Sequence, residues 1–577
     1  MSDAPDGPTE ASSIPYRIAV LAAISLGVGA AASLAAIGFV EVVAWLNDAL
    51  LIAPRSRAQV PGGVLVAATL AVPTLGGLIV GLLLARMSRL ARPLGPPDVI
   101  GAVQLGGAPP GAREGTLSTV AAALSLGFGA SVGQYGPMVL LGAVLGALAA
   151  RLRLAVPNLT AIAMACGVAA AIATAFNAPI AGLVFAHEVV LRHYATQAFA
   201  PTTLAAAMGY VISNVVFERT PLFLVEFAGV AHGYEFLFFA VLGVLCAGVA
   251  IGFMRLVLAL SAARARLPGP PALHPAMAGL ALGAAALWLP DVLGMSVEAL
   301  RFATIEGAFG MVELPLIILA KLGLTALCLG MGFAGGAFSP ALVIGVLLGA
   351  WAWQVGPAMA GIPNSGITVY AICGMMALAG PVTGAPLTMI LIVFELTRNY
   401  DLTIAAMVAV VVANLIAHRT FGRSLFDVQL ARRGVDLSAG RDRARLSGTR
   451  VADIARKPPV TAMPDERAGA VLRRLDASGR RTTPVVDGRG RFLGEIAPAA
   501  HPAAQAVGAV AAMPALVFDE TTTLAGALDA VRDFVGEAVP VVRAGDGRLL
   551  GIVTEADIIS AQLEVTEILR REENAVL

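Results

Sequence analysis

The chain has 577 residues, 58% of them hydrophobic and 13% charged, with a formal net charge of +1 and a mean hydropathy of +0.81. An ordinary soluble domain carries about 25% charged residues, and no soluble fold of this size buries so much apolar surface, so the composition points to a body embedded in lipid. The near-zero charge gives no bias toward nucleic acid. The four cysteines, Cys166, Cys246, Cys328 and Cys373, lie far apart without a CxxC pair and indicate neither a metal site nor a disulfide framework.

Residues 1–15 are polar and acidic (Asp3, Asp6, Glu10) and read as a tail. A secretory signal has a basic start and a short apolar core. The run 18–45 is far too long for one and reads as a first membrane helix, long and tilted. Apolar segments follow at 63–84, 117–129, 161–175, 204–216, 237–260, 276–289, 316–329, 343–353, 369–378, 389–395 and 404–416. Many fall short of the roughly 20 residues of a straight span, and Gly and Pro interrupt them. Broken helices persist at membrane depth only when buried in protein or lining a polar cavity, which predicts a transporter or channel. After the last span come Arg419, Arg423, Arg432, Arg433, Arg441, Arg443 and Arg445, a basic cluster that marks the cytosolic side. The membrane domain is placed at 16–435 and a linker at 436–449. The remainder has soluble composition with alternating helix and strand patterns.

Two internal repeats organise the chain. Gly133-Gln-Tyr-Gly-Pro137 and Gly335-Gly-Ala-Phe-Ser-Pro340 are glycine-rich turns, each leading into an apolar helix, with 202 residues between their first glycines. In nearly the same register, Asn177-Ala-Pro179 leads to Glu188, and Pro381-Val-Thr-Gly-Ala-Pro386 leads to Glu395. Symmetry combined with interrupted helices predicts a binding site where the repeats meet. A proline suits the first turn of a helix, and the free N–H groups and dipole of that turn favour an anion. Two such turns, with glycines allowing close approach, would cradle one small anion on backbone amides. In the cytosolic part, Thr483-Pro-Val-Val-Asp487 with Arg491-Phe-Leu-Gly494 repeats as Val539-Pro-Val-Val542 with Arg548-Leu-Leu-Gly551.

These motifs resemble the CLC family of anion channels and transporters. Gly133–Pro137 is similar to the family's GxEGP turn and Gly335–Pro340 to its GGxFxP turn. Ala175-Phe-Asn-Ala-Pro179 with Glu188, and Gly380-Pro-Val-Thr-Gly384 with Glu395-Leu-Thr-Arg-Asn-Tyr400, match two further segments, and Gly422-Arg-Ser-Leu-Phe-Asp427 resembles the start of the last, pore-facing helix. The resemblance implies an all-α polytopic inverted-repeat body of broken helices. It also implies a homodimer with one anion path per subunit, both termini cytosolic, in a bacterial plasma membrane. Chloride would be the transported ion, with no cofactor required.

The same comparison places the anion path at Leu94, Gly133, Gln134, Tyr135, Gly136, Gly336, Ala337, Phe338 and Phe426. Tyr135 stands at the gating glutamate, Val189 at the proton-relay glutamate of exchangers, Phe426 at the pore tyrosine and Leu94 at the pore serine. A phenol, with an ordinary pKa near 10, neither occupies an anion site as a carboxylate does nor readily carries a proton, and valine carries none. Passive, channel-like conduction is therefore expected, with a proton antiporter as the alternative. A path plugged by Tyr135, Leu94 and Phe426 packing together is a further reading, in which the protein is a non-conducting sensor or scaffold. His187, Glu188, Glu395 and Lys321 are ionisable groups in apolar stretches and functional candidates; a helix-tying role is the favoured reading for the two glutamates. No nucleophile–base set suggests an enzyme.

The cytosolic repeat resembles a pair of CBS modules, at 450–500 and 505–562, followed by a tail at 563–577. Gly551-Ile-Val-Thr-Glu-Ala-Asp557 carries the pattern whose Thr and Asp touch phosphate and ribose in adenosine-binding members, here Thr554 and Asp557. In the first module, Ala497 and Ala500 replace both. At most one adenine nucleotide site is expected; a plain helix cap at Thr554 and Asp557 is the other reading.

Overall fold

The computed structural model describes residues 14–574 except 89, 91, 153, 155, 157, 219–228, 439, 498–502, 533 and 535. Most of the polar N-terminal tail, Ala500 and residues 575–577 thus lie outside the described residues. The chain divides into two compact units, the first ending at Arg433 and the second covering Gly434–Asn574.

The first unit is built from helices in two halves of matching order. The first half comprises α1 (Ile14–Ala49), α2 (Gly62–Met87), α3 (Pro96–Leu105), α4 (Ala112–Gly127), α5 (Tyr135–Ala150), α6 (Leu159–Phe176), α7 (Pro179–Phe185, continued by a wider turn at Ala186–Leu191) and α8 (Thr196–Tyr210). The second comprises α9 (Glu235–Arg264), α10 (His274–Ala286), a short helix at Val297–Phe302, α11 (Glu313–Met331), α12 (Phe338–Trp353), α13 (Ile367–Thr383), α14 (Pro386–Thr397) and α15 (Tyr400–Thr420), after which comes α16 (Leu425–Ala431). Among the described residues, eight helices are long and apolar enough to cross a membrane. The shorter apolar helices include α5, α7, α13 and α14, all members of the repeated pairs.

Local chemistry sets the matching breaks. Asn177 at the end of α6 (φ 54°) and Gly384 at the end of α13 (φ 73°) both take the left-handed conformation that stops a helix. Pro179 and Pro386 then open α7 and α14 at the first turn. The packing repeats as well. A Cβ on Gly142 would lie 2.2 Å from Gly167 O, and one on Gly345 2.5 Å from Gly374 O. Each half therefore crosses its two central helices, α5 on α6 and α12 on α13, through a glycine contact. Without a hydrophobic drive between helices in lipid, such small-residue contacts allow the close packing that holds them.

The second unit contains two antiparallel hairpins. β1 (Thr483–Val486) pairs with β2 (Phe492–Ile496), and β4 (Val539–Val542) pairs with β5 (Leu549–Val553); β3 (Phe518–Asp519) lies parallel to β4. Both hairpins have a register shift at the equivalent valines, Val485/Val486 and Val541/Val542, so the sequence repeat is a structural one. Their turns meet across the pair, where Phe492 N–H donates to Gly547 O and Leu549 N–H to Gly490 O, each at 3.0 Å. The cores are interleaved: Val451 packs in the core of the second module and Val507 in that of the first. The last helix, α17 (Glu555–Asn574), continues through residues 563–574.

Candidate functional site

The two glycine-rich turns meet inside the first unit. Gly133 N–H donates to Gly336 O at 2.7 Å, and Gly336 N–H returns the bond to Gly133 O at 2.8 Å. This reciprocity is what a two-fold relation between the halves requires. Only glycine fits: a Cβ on Gly133 would lie 2.8 Å from Gly336 O, and one on Gly136 would lie 3.0 Å from Gly336 Cα. Two serines outside the predicted set complete the junction. Gln134 N–H donates to Ser339 Oγ at 3.1 Å, and Ala334 N–H to Ser125 Oγ at 3.1 Å.

Gly133, Tyr135, Gly136, Gly336, Ala337 and Phe338 are all buried at this junction. Because Gly133 and Gly336 bond each other, their own N–H groups hold the turns together. The groups left without an intrahelical acceptor are the first-turn amides of α5 and α12, at Tyr135, Gly136, Phe338 and Ser339. Both helix dipoles put their positive ends at the same point. The Gln134 side-chain oxygen is buried there without a hydrogen-bond partner.

Tyr135 forms an aromatic cluster. Its ring centroid lies 4.3 Å from that of Phe176 and 5.2 Å from that of Phe338, and Phe185 stacks on Phe338 at 6.4 Å. The alternative of a plug made by Tyr135, Leu94 and Phe426 together does not fit the cavity walls. Leu94 and Phe426 line a cavity of about 310 Å³ that reaches Gly336 and Ala337, and Tyr135 is absent from its walls. The division follows from the helix starts: Tyr135 at the head of α5 faces the end of α6, whereas Phe426 belongs to α16. The cavity carries Arg92, Arg264, Arg432 and Arg433, and among the described residues no acidic side chain lines it. Asp98, nearby, pairs with Arg92 at 2.8 Å and Arg433 at 2.9 Å. Arg264 lies against the second turn, since a Cβ on Gly332 (φ 102°) would fall 2.2 Å from its Nη1. The helix next to Leu94, α3, opens with Pro96 and Pro97, which have no N–H to offer an ion.

Val189 is buried beside Glu188. The Glu188 carboxylate accepts from Leu387 N–H (2.9 Å), Thr388 N–H (2.8 Å) and Thr388 Oγ1 (2.7 Å), capping α14. Glu395, on α14, accepts from Ile180 N–H (2.9 Å) and Ala181 N–H (2.7 Å), capping α7. The helix-tying reading describes both. His187 Nδ1 lies 2.6 Å from His193 O, and Nε2 lies 2.9 Å from Thr202 Oγ1. A carbonyl only accepts, so Nδ1 carries a proton and both ring nitrogens have structural partners. Lys321 Nζ donates to Val292 O (3.1 Å) and Gly294 O (2.7 Å).

In the second unit, Thr554 and Asp557 form a capping box at the start of α17. Thr554 Oγ1 donates to Asp557 Oδ2 at 2.7 Å, and Asp557 N–H donates to Thr554 Oγ1 at 3.1 Å. Arg456 Nη2 holds Asp557 Oδ1 at 2.9 Å. Ala497, the counterpart of Thr554, is exposed.

Phe176, Phe185, Ser125, Ser339 and Arg264 are the site residues that sequence reasoning passed over. Phe176 and Ser339 stood inside quoted motifs, but nothing local announced that they reach across the repeat.

A symmetric body of broken helices, with two helix N-termini meeting at a buried point behind an arginine-lined cavity, defines an anion-transport type of membrane protein. The family model described as voltage gated chloride channel matches residues 76–418, and the CBS domain model matches 451–497 and 507–564. The chain belongs to the voltage-gated chloride channel (CLC) family and carries a CBS pair. A ClcB-like chloride channel protein of Ralstonia nicotianae is 33% identical over 70% of this chain and 95% of its own length. The H(+)/Cl(-) exchange transporter ClcA of Cronobacter sakazakii is 29% identical over 72% of this chain and 90% of its own. Among solved structures, a slow cyanobacterial Cl-/H+ antiporter superposes with a TM-score of 0.65 at 24% identity, over 72% of this chain and 98% of its own. A eukaryotic CLC transporter does so with a TM-score of 0.61 at 19% identity, over 94% of this chain and 99% of its own.

Proposed function

We propose that this chain conducts small inorganic anions, chloride first among them, passively and without proton coupling. The observation that carries the reading is the junction of α5 and α12. It offers first-turn amides to an anion while presenting Tyr135 in place of a carboxylate, and Val189 replaces the relay carboxylate behind it. The arginine-lined cavity supports anions as the cargo: like charge on its walls concentrates anions at the mouth, and the apolar Leu94 and Phe426 bind them weakly enough to let them pass. The protein acts as a homodimer with one path per subunit in a bacterial plasma membrane, with the arginine-rich face and both termini cytosolic. The domain limits set out from the sequence are retained except the last, since α17 runs unbroken past residue 562, with the CBS pair able to take one adenine nucleotide at Thr554 and Asp557.

Purified protein in liposomes, tested with chloride, nitrate and fluoride gradients with and without a pH gradient, decides the matter. Electrogenic anion flux with no accompanying proton movement is expected. Proton uptake driven by a chloride gradient would replace this reading with the antiporter. The aromatic cluster around Tyr135 favours a second reading, a closed path in a nucleotide-sensing scaffold. Zero flux from both wild type and Tyr135→Ala would select it.

A further inference from the structure

Lys321 is fully buried in α11 of a membrane body, where an amine is costly and a functional role is the default expectation. Its partners do not suggest an ion path. They are two backbone carbonyls of one loop, Val292 O and Gly294 O. That loop has a built shape: Pro290–Val292 form a single turn, Gly294 (φ 55°) and Ser296 (φ 54°) are left-handed, and Ser296 Oγ donates to Asp291 O. Gly294 N–H then donates to Gly129 O at 2.8 Å. Gly129 (φ 82°) stands at the start of the strip Gly129–Gly133, whose last residue pairs with Gly336. One helical turn after Lys321, on the same face of α11, the buried Thr325 Oγ1 lies 2.9 Å from Ser131 Oγ, in the middle of the strip. The strip is thus held at its start through Lys321 and the loop, in its middle by Thr325, and at its end by the opposite repeat.

We propose that Lys321 is a positioning residue for the first anion turn: by fixing the 292–294 loop it sets, through Gly294 and Gly129, where the head of α5 sits relative to the head of α12. Ion choice at a site made of amides depends on the spacing and orientation of those amides, so this lysine tunes selectivity without touching the ion. The inference rests on the anion-transport reading.

The test measures chloride efflux and the chloride:nitrate rate ratio from liposomes, together with elution volume and thermal midpoint in detergent, for wild type, Lys321→Met, Thr325→Val and Thr325→Ser. Wild type is measured first, and absence of efflux there defeats the transport reading itself. With active wild type, Lys321→Met is expected to shift the chloride:nitrate ratio by about fivefold, the factor one ordinary hydrogen bond represents. Thr325→Val, which keeps the shape and loses the hydroxyl, should shift it in the same direction, and Thr325→Ser should restore it. An unchanged ratio in folded Lys321→Met, including a lower rate at an unchanged ratio, marks a merely structural lysine and overturns the proposal. Should Lys321→Met not be recovered folded, Lys321→Gln, which leaves a neutral donor in place of the ammonium, decides by the same criterion.

Discussion

If Tyr135 is a gate, opening it must separate its ring from Phe176 and Phe338. Centroid distances of 4.3 and 5.2 Å, with tilted planes, are in the range where an aromatic pair is worth about 0.5–1.5 kcal/mol beyond area burial. Two pairs therefore hold the closed state by about 1–3 kcal/mol, which at 25 °C is about a 5- to 150-fold bias against opening. Tyr135→Ala removes both contacts and leaves the backbone amides in place, so single-turnover chloride efflux should rise by a factor within that range. Tyr135→Phe keeps the rings and should stay within about threefold of wild type. The assay is chloride efflux from liposomes at matched protein density, with the oligomeric state of each variant compared with wild type by elution volume. Folded Tyr135→Ala that conducts no faster than wild type, or Tyr135→Phe that conducts as fast as Tyr135→Ala, would refute the idea that ring stacking closes the path.

Glu188→Gln keeps the shape of the cap on α14 but loses its charge. Against the three donors it now accepts from, the cost should be about 1–3 kcal/mol, read as a lower thermal midpoint. Glu395→Gln should behave alike, and the double variant should lose less than the sum, because the two caps tie one pair of helices. Gly345→Val drives a side chain into Gly374 O, only 2.5 Å from the Cβ position, and should abolish recovery of folded protein. Gly323→Ala on α11, with open space around it, should be tolerated. In the CBS pair, burial first and the neighbouring Glu537 second raise Glu495 from 4.5 to about 7. The folded state then holds the proton more tightly than the unfolded one, so stability falls as pH rises from 4.5 through 7 and stays low above it. Discounted for partial solvent exposure, the penalty is about 1–2 kcal/mol. Glu495→Gln should therefore raise the urea midpoint of the second unit, followed by proteolysis, at pH 8 and leave it nearly unchanged at pH 4.5. A gain that is equal at both pH values would contradict this. If the proposed loss of the relay at Val189 holds, Tyr135→Glu alone should introduce a pH-dependent gate without proton transport; coupled uptake in that single variant would show that Val189 is not the break.

The features legible in the sequence were those in which one residue type is forced by local geometry and then repeated. Pro179 and Pro386, and Glu188 and Glu395, each perform the same task twice, so register alone exposed them; the two glycine turns were legible as a repeat, but matching their first glycines set Gly133 opposite Gly335, one residue short of Gly336, its partner in the structure. Helix limits were less legible because the helices are apolar all round, and a helix buried on every side gives no periodicity to read. The segment 369–378 extends to Thr383 in α13 because Pro381 stands inside the helix without ending it, its missing N–H being tolerated within a buried membrane helix. Phe338 was placed in the anion path with Tyr135 through the family resemblance, but the ring contacts with Phe338 and Phe176 were not legible, since these come from the opposite repeat and from the end of another helix.

The balance of donors at the junction has a consequence for how the ion is held. Gly133 and Gly336 were natural candidates to touch it, yet their amides are used in joining the repeats, so rigidity and binding are assigned to different residues of the same motif. Rigidity comes from the reciprocal pair and the two serine bonds, which fix the spacing of the helix heads. Binding falls to the next amides, which have no acceptor of their own and therefore need no rearrangement to meet an anion. Such preset dipoles attract an anion without a full positive charge in contact with it, while the four arginines stay at the mouth, where they raise local concentration. On the proposed reading, Tyr135 would supply the first free amide from its backbone and an aromatic closure from its side chain, so that one position would both attract the ion and bar its way. Stacking strength and amide geometry at that position are therefore the two independent controls on rate.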